Sequence, residues 1–276
     1  MAQNLNPCAA ALTIAGFDPS GGAGVLADER TFAAFGLRAV AAITSLTFQN
    51  EERVFGASHQ TGEVVRAQIL PLLEDHNIVC SKVGMLPTRG VVLEVARLFR
   101  ETDLPSPVVD PVMISSSGQR LMEEDAVEPF VKEVLPAARL ITPNISEAER
   151  LTGLTISSEV EMRRAAAALR GMGTRAVLIK GGHLRRQAAN GESLDARNGK
   201  AHGRLDLSED AVDLLDNEGK VTVFREKRIE RGELHGSGCI LSSAIAAELG
   251  KGRSLEDAVA AAKYFVLDAI RKTLSL

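Results

Sequence analysis

Tryptophan is absent from the 276 residues, and aromatic side chains of every kind amount to 4%. Stacking platforms for nucleic-acid bases would therefore have few rings to work with. Cysteine is scarce as well: three residues cannot build a disulfide framework, and the odd count favours a reducing compartment. There is no excess of positive charge, since 32 Lys and Arg face 36 Asp and Glu for a formal net charge of -4. Such a balance supplies no basic field to hold a nucleic-acid backbone or an anionic lipid surface. Long apolar runs are missing too; none approaches the roughly 18 residues of a membrane helix, and Met1 to Ala11 carries no positive region ahead of an apolar stretch. Nucleic acid and membrane are thus excluded as partners, and the expectation is a cytoplasmic protein that acts on small molecules.

What the sequence does have is 45% hydrophobic residues, enough for a sizeable core in one domain covering residues 1–276. Short β-branched runs alternate with longer helical patterns, the signature of an α/β fold in which a mostly parallel sheet is layered between helices. Strands are expected at Ala11 to Ala15, Ala39 to Thr44, Ile78 to Val83, Pro107 to Asp110, Arg139 to Thr142 and Arg175 to Lys180. A helix from Gly24 to Phe35 stops at Gly36, and Thr88 caps another that runs to Arg100. Ser146 with Glu149, Ser158 with Glu161, and Ser254 with Asp257 have the spacing of capping pairs. Near the C-terminal part, Ala211 to Leu215 and Val221 to Phe224 flank Asp216-Asn217-Glu218-Gly219, which predicts an antiparallel hairpin. Helices from about Gly238 to Leu249 and from Ser254 onward close the chain. Residues 184–210 are polar and aperiodic, and they are read as a mobile loop, with a lid over substrate as the alternative. No repeat or interdomain linker interrupts the pattern.

In open parallel sheets ligands gather at the carboxyl ends of the strands, and most of the unusual residues lie just after predicted strands. Gly16-Phe17-Asp18-Pro19-Ser20-Gly21-Gly22-Ala23-Gly24 follows the first. Its Gly22-x-Gly24-x-x-Ala27 spacing formally matches a dinucleotide fingerprint. Asp18-Pro19-Ser20 intervene before the glycines, however, and no acidic residue closes the second strand, while a P-loop would need Gly-Lys-Ser/Thr. The alternatives are a tight strand-to-helix turn or a cradle for something small, toward which Asp28 would point.

The second glycine site, His235-Gly236-Ser237-Gly238-Cys239, opens a helix. The first amides of a helix lack internal partners and carry a partial positive charge, so an anion such as a migrating phosphoryl group is stabilised there. A thiol at such a position is expected to be depressed from its usual pKa near 8.5, so that Cys239 could hold or accept a proton near neutrality; the alternative is a small buried cysteine. Cys8 and Cys80 are read as structural. Asp110, Asn144, Glu147 and Lys180 could form the polyphosphate and Mg²⁺ side of one cleft, or could be a strand-end turn, a cap, a first-turn helix charge and a solvated strand end. None of the five histidines has metal-ligand spacing, and the Asn144-Ile145-Ser146 sequon is coincidental in a chain with no secretion signal.

Ala11-Leu12-Thr13-Ile14-Ala15-Gly16, Asp18-Pro19-Ser20-Gly21-Gly22-Ala23-Gly24, Gln49-Asn50, Val83-Gly84-Met85-Leu86, Asp110-Pro111-Val112-Met113, Ile141-Thr142-Pro143-Asn144, Lys180-Gly181-Gly182-His183 and His235-Gly236-Ser237-Gly238-Cys239 together resemble the bacterial hydroxymethylpyrimidine and phosphomethylpyrimidine kinases of thiamine biosynthesis, in the ribokinase-like superfamily. The resemblance implies a three-layer α/β/α fold. It also implies ATP- and Mg²⁺-dependent phosphorylation of 4-amino-5-hydroxymethyl-2-methylpyrimidine and then of its monophosphate. By the same resemblance Gln49 pairs with the ring nitrogen and exocyclic amine, aided by Asp28 and the backbone of Gly16 and Ala23, while Met85 and Val112 pack on the ring. Cys239 would be the base over an anion hole of Gly236, Ser237 and Gly238. Asn144, Glu147 and Lys180 would face ATP, Asp110 and Glu147 the metal, and the protein would form a homodimer.

Departures from the family pattern are Ser237 in place of Thr, Phe17 in place of a smaller polar residue, a longer 184–210 segment and a missing C-terminal extension. Pyridoxal kinases share the fold, but most carry Asp where Cys239 stands. A catalytically silent vitamer-binding regulator is a rival of another class, and a Cys-dependent hydrolase lacks an evident partner residue.

Overall fold

The computed structural model describes residues 9–50, 53–115, 117–182, 210–227, 229 and 235–274. Its centre is a nine-stranded sheet in the order β3-β2-β1-β4-β5-β6-β7-β8-β9. The strands are β1 (Ala9–Phe17), β2 (Arg38–Gln49), β3 (Val54–His59), β4 (Asn77–Val83), β5 (Val108–Val109), β6 (Leu140–Ile141), β7 (Ala176–Gly181), β8 (Asp210–Asn217) and β9 (Lys220–Lys227). The helices are α1 (Gly24–Ala34), α2 (Gly62–Asp75), α3 (Arg89–Glu101), α4 (Glu124–Pro129), α5 (Ile145–Thr152), α6 (Glu159–Gly171), α7 (Ser237–Gly250) and α8 (Leu255–Leu274).

Six strands, β2, β1, β4, β5, β6 and β7, pair in parallel. They read as near-continuous apolar runs because both faces are covered. Alternate residues of β1 serve two cores. Ala10, Leu12 and Ile14 pack with side chains of α2 through α6, whereas Ala11 packs with Phe32 of α1 and with α7 and α8. This is the helix, sheet, helix layering expected from the sequence.

The antiparallel C-terminal hairpin forms as predicted, with β8 paired to β7 and β9 paired to β8. Its strands are longer than expected and leave only Glu218 and Gly219 as the turn, at φ 53 and 96. Two positive φ values in a two-residue loop match the right-handed twist of the flanking strands. Of the segment read as a mobile loop, 184–209 lies outside the described residues, and Asp210 opens β8.

Three features depart from the sequence expectation. The antiparallel edge strand β3 and the helix α2 were not anticipated; β3 is short and partly exposed, and α2 carries Pro71 inside it, which blurs its pattern. Helix α4 runs past Pro129 into a π-helical turn at Phe130–Val134 and a 3-10 turn at Leu135–Ala137. Finally, Ser146 and Glu149 do not start α5, for reasons given below.

Candidate active site

The turn after β1 is organised by Asp18, which is 3% exposed. Its Oδ1 accepts from the Ser20 amide at 2.8 Å and the Ser20 hydroxyl at 2.7 Å, and Oδ2 accepts from the Ala23 amide at 2.8 Å. Arg30 adds a bond to the Gly21 carbonyl. Gly24 then starts α1 at φ 59, so close to the strand that a Cβ on it would stand 2.2 Å from the Gly16 carbonyl oxygen. Only glycine fits that position. Gln49, at the end of the neighbouring β2, also donates to the Asp18 carboxylate. Burial by itself would raise the Asp18 pKa; the bonds from Ser20, Gln49 and Ala23 hold it below the usual 3.8.

The second glycine turn packs against the first. His235 Nε2 lies 3.3 Å from Asp18 Oδ2, and a Cβ on Gly22 would come within 2.2 Å of the His235 ring. Gly236, at φ 75, passes so near Gly22 that its own Cβ would stand 2.1 Å from the Gly22 carbonyl oxygen. Gly236 is the N-cap of α7 and offers no side-chain cap, which leaves the first amides of that helix without a partner from the cap. On the far flank, Gly238 abuts the charged residues: a Cβ there would be 3.1 Å from Lys180 Nζ and 3.2 Å from Asp110 Oδ2. The structure thus joins Gly16, Ala23, Gly236, Ser237 and Gly238 with Asp110 and Lys180 at one edge of the sheet. Met85 sits beside Gly16, its sulfur 3.1 Å from where a Cβ would be, and its carbonyl accepts from Thr44 at 2.6 Å. Val112, half-buried, follows Asp110 on the same edge.

Lys180 Nζ is 2.9 Å from Asp110 Oδ1, and Thr142 also reaches that oxygen at 3.3 Å. Burial alone would lower the Lys180 pKa, but Asp110 and Glu147 raise it, so the ammonium stays charged. Glu147 behaves in the opposite sense. Its burial pushes the carboxyl up to about 7, Asp110 adds to the rise, and Lys180 opposes it. Two buried carboxylates around a single lysine favour a further cation, and Mg²⁺ is commonly held by one or two carboxylates with the rest of its shell from water and phosphate. Among the described residues no cluster of three or more acidic, His or Cys side chains is arranged to hold a metal, so the substrate's own phosphates would have to complete the shell.

Asn144 and Glu147 also carry the structural duty given as their alternative, a cap and a first-turn helix charge, and they displace the expected Ser146 and Glu149 pair. Asn144 Oδ1 accepts from the Glu147 amide at 2.9 Å, and Glu147 Oε2 accepts from the Asn144 amide at 2.8 Å, a reciprocal capping box. Glu149 instead accepts from the Ile156 amide. Asn at a cap and Glu at N3 compete successfully with Ser146 because the chain turns into the helix as soon as it leaves the sheet.

Two expectations are corrected. Cys239 was expected to be depressed by its helix start. Burial outweighs the helix dipole and pushes the thiol up to about 11; Lys82 and a bond from the Gly24 amide oppose the rise, while Asp28 and Asp110 add to it. Asp28 was expected to point at the substrate turn. It is 0% exposed, and its oxygens are taken by Lys82 at 2.9 and 2.8 Å, Thr13 at 2.6 Å and Ser243 at 2.7 Å. Lys82 and Ser243 were not singled out from the sequence, and Thr13 and Asp18 were named there only as parts of longer motifs with no role of their own. One signal was available for Lys82: a charge inside the apolar run Ile78 to Val83 has to be paired if the strand is buried.

The profile of the family described as phosphomethylpyrimidine kinase matches residues 18–276. A hydroxymethylpyrimidine/phosphomethylpyrimidine kinase of Streptomyces coelicolor is 39% identical over 94% of this chain and 87% of its own length. The Rhizobium meliloti protein of the same description is 38% identical over 95% of this chain and 90% of its own length. Among solved structures, the phosphomethylpyrimidine kinase of Clostridium difficile is 34% identical with a TM-score of 0.77, covering 95% of this chain and 99% of that one. The Staphylococcus aureus pyridoxal kinase in complex with AMP-PCP is 28% identical with a TM-score of 0.80, over 95% of this chain and 88% of that one. The fold, the strand-edge site and these relatives agree: the chain belongs to the phosphomethylpyrimidine kinase family and is a phosphotransferase.

Proposed function

We propose that the chain transfers the terminal phosphate of ATP to the hydroxymethyl group of 4-amino-5-hydroxymethyl-2-methylpyrimidine, and then a second phosphate to the monophosphate. The observation that carries this reading is the packing of the two glycine turns, with Gly236 against Gly22 and Gly238 against Lys180 and Asp110. A small alcohol at the first turn and a phosphoryl group at the second would be in reach of one another.

In this reading Gln49 reads the ring nitrogen and exocyclic amine, and the backbone of Gly16 and Ala23 assists. Met85 and Val112 pack on the ring. The amides of Gly236, Ser237 and Gly238 take the charge that spreads over the equatorial oxygens in phosphoryl transfer, where positioning and electrostatics do most of the catalytic work. Lys180 and Asn144 face the nucleotide. Asp110 and Glu147 would hold Mg²⁺, which when bound neutralises phosphate charge. The hydroxymethyl proton would pass to Sγ of Cys239 in the minor population in which that thiol is ionised. The role expected for Asp28 is reassigned from touching substrate to holding Lys82. The named relatives are kinases, and S. aureus pyridoxal kinase has been solved with AMP-PCP, which supports ATP as donor. A homodimer in the cytoplasm completes the proposal; Leu46 and Phe48 of β2 and Phe55 of β3 are 41%, 54% and 61% exposed.

A coupled ATP assay with the pyrimidine alcohol, its monophosphate and pyridoxal tests the reading. Turnover of the first two, with product masses one phosphate higher, is expected. Turnover of pyridoxal alone would transfer the assignment to vitamin B6 salvage, and binding with no turnover would make the protein a regulator. Cys239→Ala is expected to lower pyrimidine phosphorylation by about 10²-fold or more, the scale of a lost general base.

A further inference from the structure

The two glycine turns are tied together by a side chain that the proposed function leaves without a task. His235 precedes Gly236, the N-cap of α7, and its ring lies on the turn between β1 and α1. The three heavy atoms nearest a Cβ on Gly22 all belong to that ring, at 2.2, 3.2 and 3.3 Å. Gly22 has no positive φ, unlike its neighbours Gly21 and Gly24 at 77 and 59. Room for the imidazole, and not backbone conformation, is therefore what calls for glycine at position 22.

The ring is also held at its tip. His235 Nε2 lies 3.3 Å from Asp18 Oδ2, the oxygen that accepts from the Ala23 amide at 2.8 Å. Charge fixes the direction of this bond. The donors around Asp18 keep its carboxyl ionised at neutral pH, and an ionised carboxylate offers only lone pairs, so Nε2 carries the proton and donates. The turn that receives the ring is itself braced: Asp18 accepts from the Ser20 amide and hydroxyl, and Arg30 bonds the Gly21 carbonyl. Behind the ring, Gly236 passes so close that its Cβ would stand 2.1 Å from the Gly22 carbonyl oxygen. A shift of His235 would carry with it the peptide that enters α7.

In the proposed function the acceptor alcohol lies at the first turn and the phosphoryl group at the second. Phosphoryl transfer leaves the protein little covalent chemistry, so the rate follows the separation and alignment of the two reactants. We propose that His235 is a positioning residue: by donating to Asp18 and filling the space over Gly22, it sets the register of the α7 amides against the turn that holds the acceptor. The proposal rests on the reading of the two turns as acceptor and phosphoryl sites. It gives His235 no contact with either substrate and no part in moving the proton.

Steady-state kinetics of the full chain test it, with each rate divided by the native fraction that a urea melt gives at the assay temperature. His235→Leu keeps most of the bulk and removes the donor. Its kcat per native molecule is expected to fall about 10²-fold, the scale of a misplacement of about 1 Å, while the KM values for ATP and for the alcohol hold. In glutamine Nε2 stands as many bonds from Cα as in histidine, so His235→Gln can restore the bond to Asp18 and is expected to recover most of the loss. Gly22→Ala pushes the ring from the other side. It is expected to lower kcat in the wild-type background and to cost nothing further once His235→Ala has emptied the space, the non-additivity of two residues that act through one contact. A lost rate fully accounted for by lost native protein, a loss confined to KM, a glutamine variant as slow as the leucine one, or a Gly22→Ala effect that survives in His235→Ala would each overturn the proposal. Failure of the underlying reading shows instead in the wild type, as no turnover of the pyrimidine alcohol or its monophosphate; if pyridoxal proves to be the acceptor, the same variants are measured with it and the same outcomes decide.

Discussion

Asp18 and Cys239 show how one residue's surroundings set its part in the site. Asp18 accepts from two backbone amides, the Ser20 hydroxyl and Gln49 while within 3.3 Å of His235. Its folded pKa lies below the ordinary 3.8, so the stability it contributes is present above that value and is lost as pH falls through the folded pKa. The stability difference between wild type and Asp18→Asn, from urea melts, is therefore expected to be constant near neutrality and to shrink on acidification below 3.8. A difference that grew on acidification would contradict the assignment. Because Gln49 spends an N–H on Asp18, the same variant is expected to release the amide and weaken the pyrimidine more than ATP, read as a rise in one KM and not the other. For Cys239 the sign is the reverse of a depressed thiol. With its pKa pushed up to about 11, the thiolate is a minor species at neutral pH. A rate that depends on it should climb about tenfold per pH unit from 7 to 9, and a flat profile would exclude proton transfer to the thiol as the limiting step.

At the scale of elements, the contact between the two glycine turns does the work. Gly236 combines a positive φ of 75 with a Cβ direction blocked at 2.1 Å by the Gly22 carbonyl, whereas Gly252, at φ 84 after α7, has nothing within 4 Å. Both alanine variants incur the left-handed conformational cost of about 1–2 kcal/mol. Only Gly236→Ala also forces the turns apart. Thermal melts are therefore expected to drop for both and further for Gly236→Ala, while phosphorylation is lost in Gly236→Ala and kept in Gly252→Ala. Equal activity in the two would mean that the turns need not touch. The start of α5 makes a related point, because Asn144 and Glu147 cap each other while bordering Lys180 and Asp110. In the proposed function this helix cap would also border the nucleotide, so the same two residues would serve both ends.

For the whole molecule, the β2 and β3 edge exposes Leu46, Phe48 and Phe55, which a monomer has little reason to leave in water. Phe48→Asp is expected to shift a dimer to a monomer in light scattering, with the melting temperature kept; a wild type that is already monomeric would dismiss the dimer. The sequence by itself determined the layering and which residues lie at the carboxyl ends of the strands. Strands such as Ala11 to Ala15 and Ile78 to Val83 declare themselves because a parallel strand buried on both faces must be apolar, and glycine turns after strands declare a close backbone approach. It also determined the hairpin after residue 210, through Asp216-Asn217-Glu218-Gly219. Edge strand β3 escaped because a short, half-exposed strand has no period to read, and α5 was misplaced by two residues because Asn144 and Ser146 are both good caps in isolation. Tertiary structure alone decided where Asp28 points, what Lys82 pairs with and how strongly Cys239 holds its proton. Local sequence carries periodicity and turn chemistry, but desolvation and the sign of a neighbouring charge depend on residues brought together from β1, α1, β4 and α7, and those distances exist only once the chain has folded.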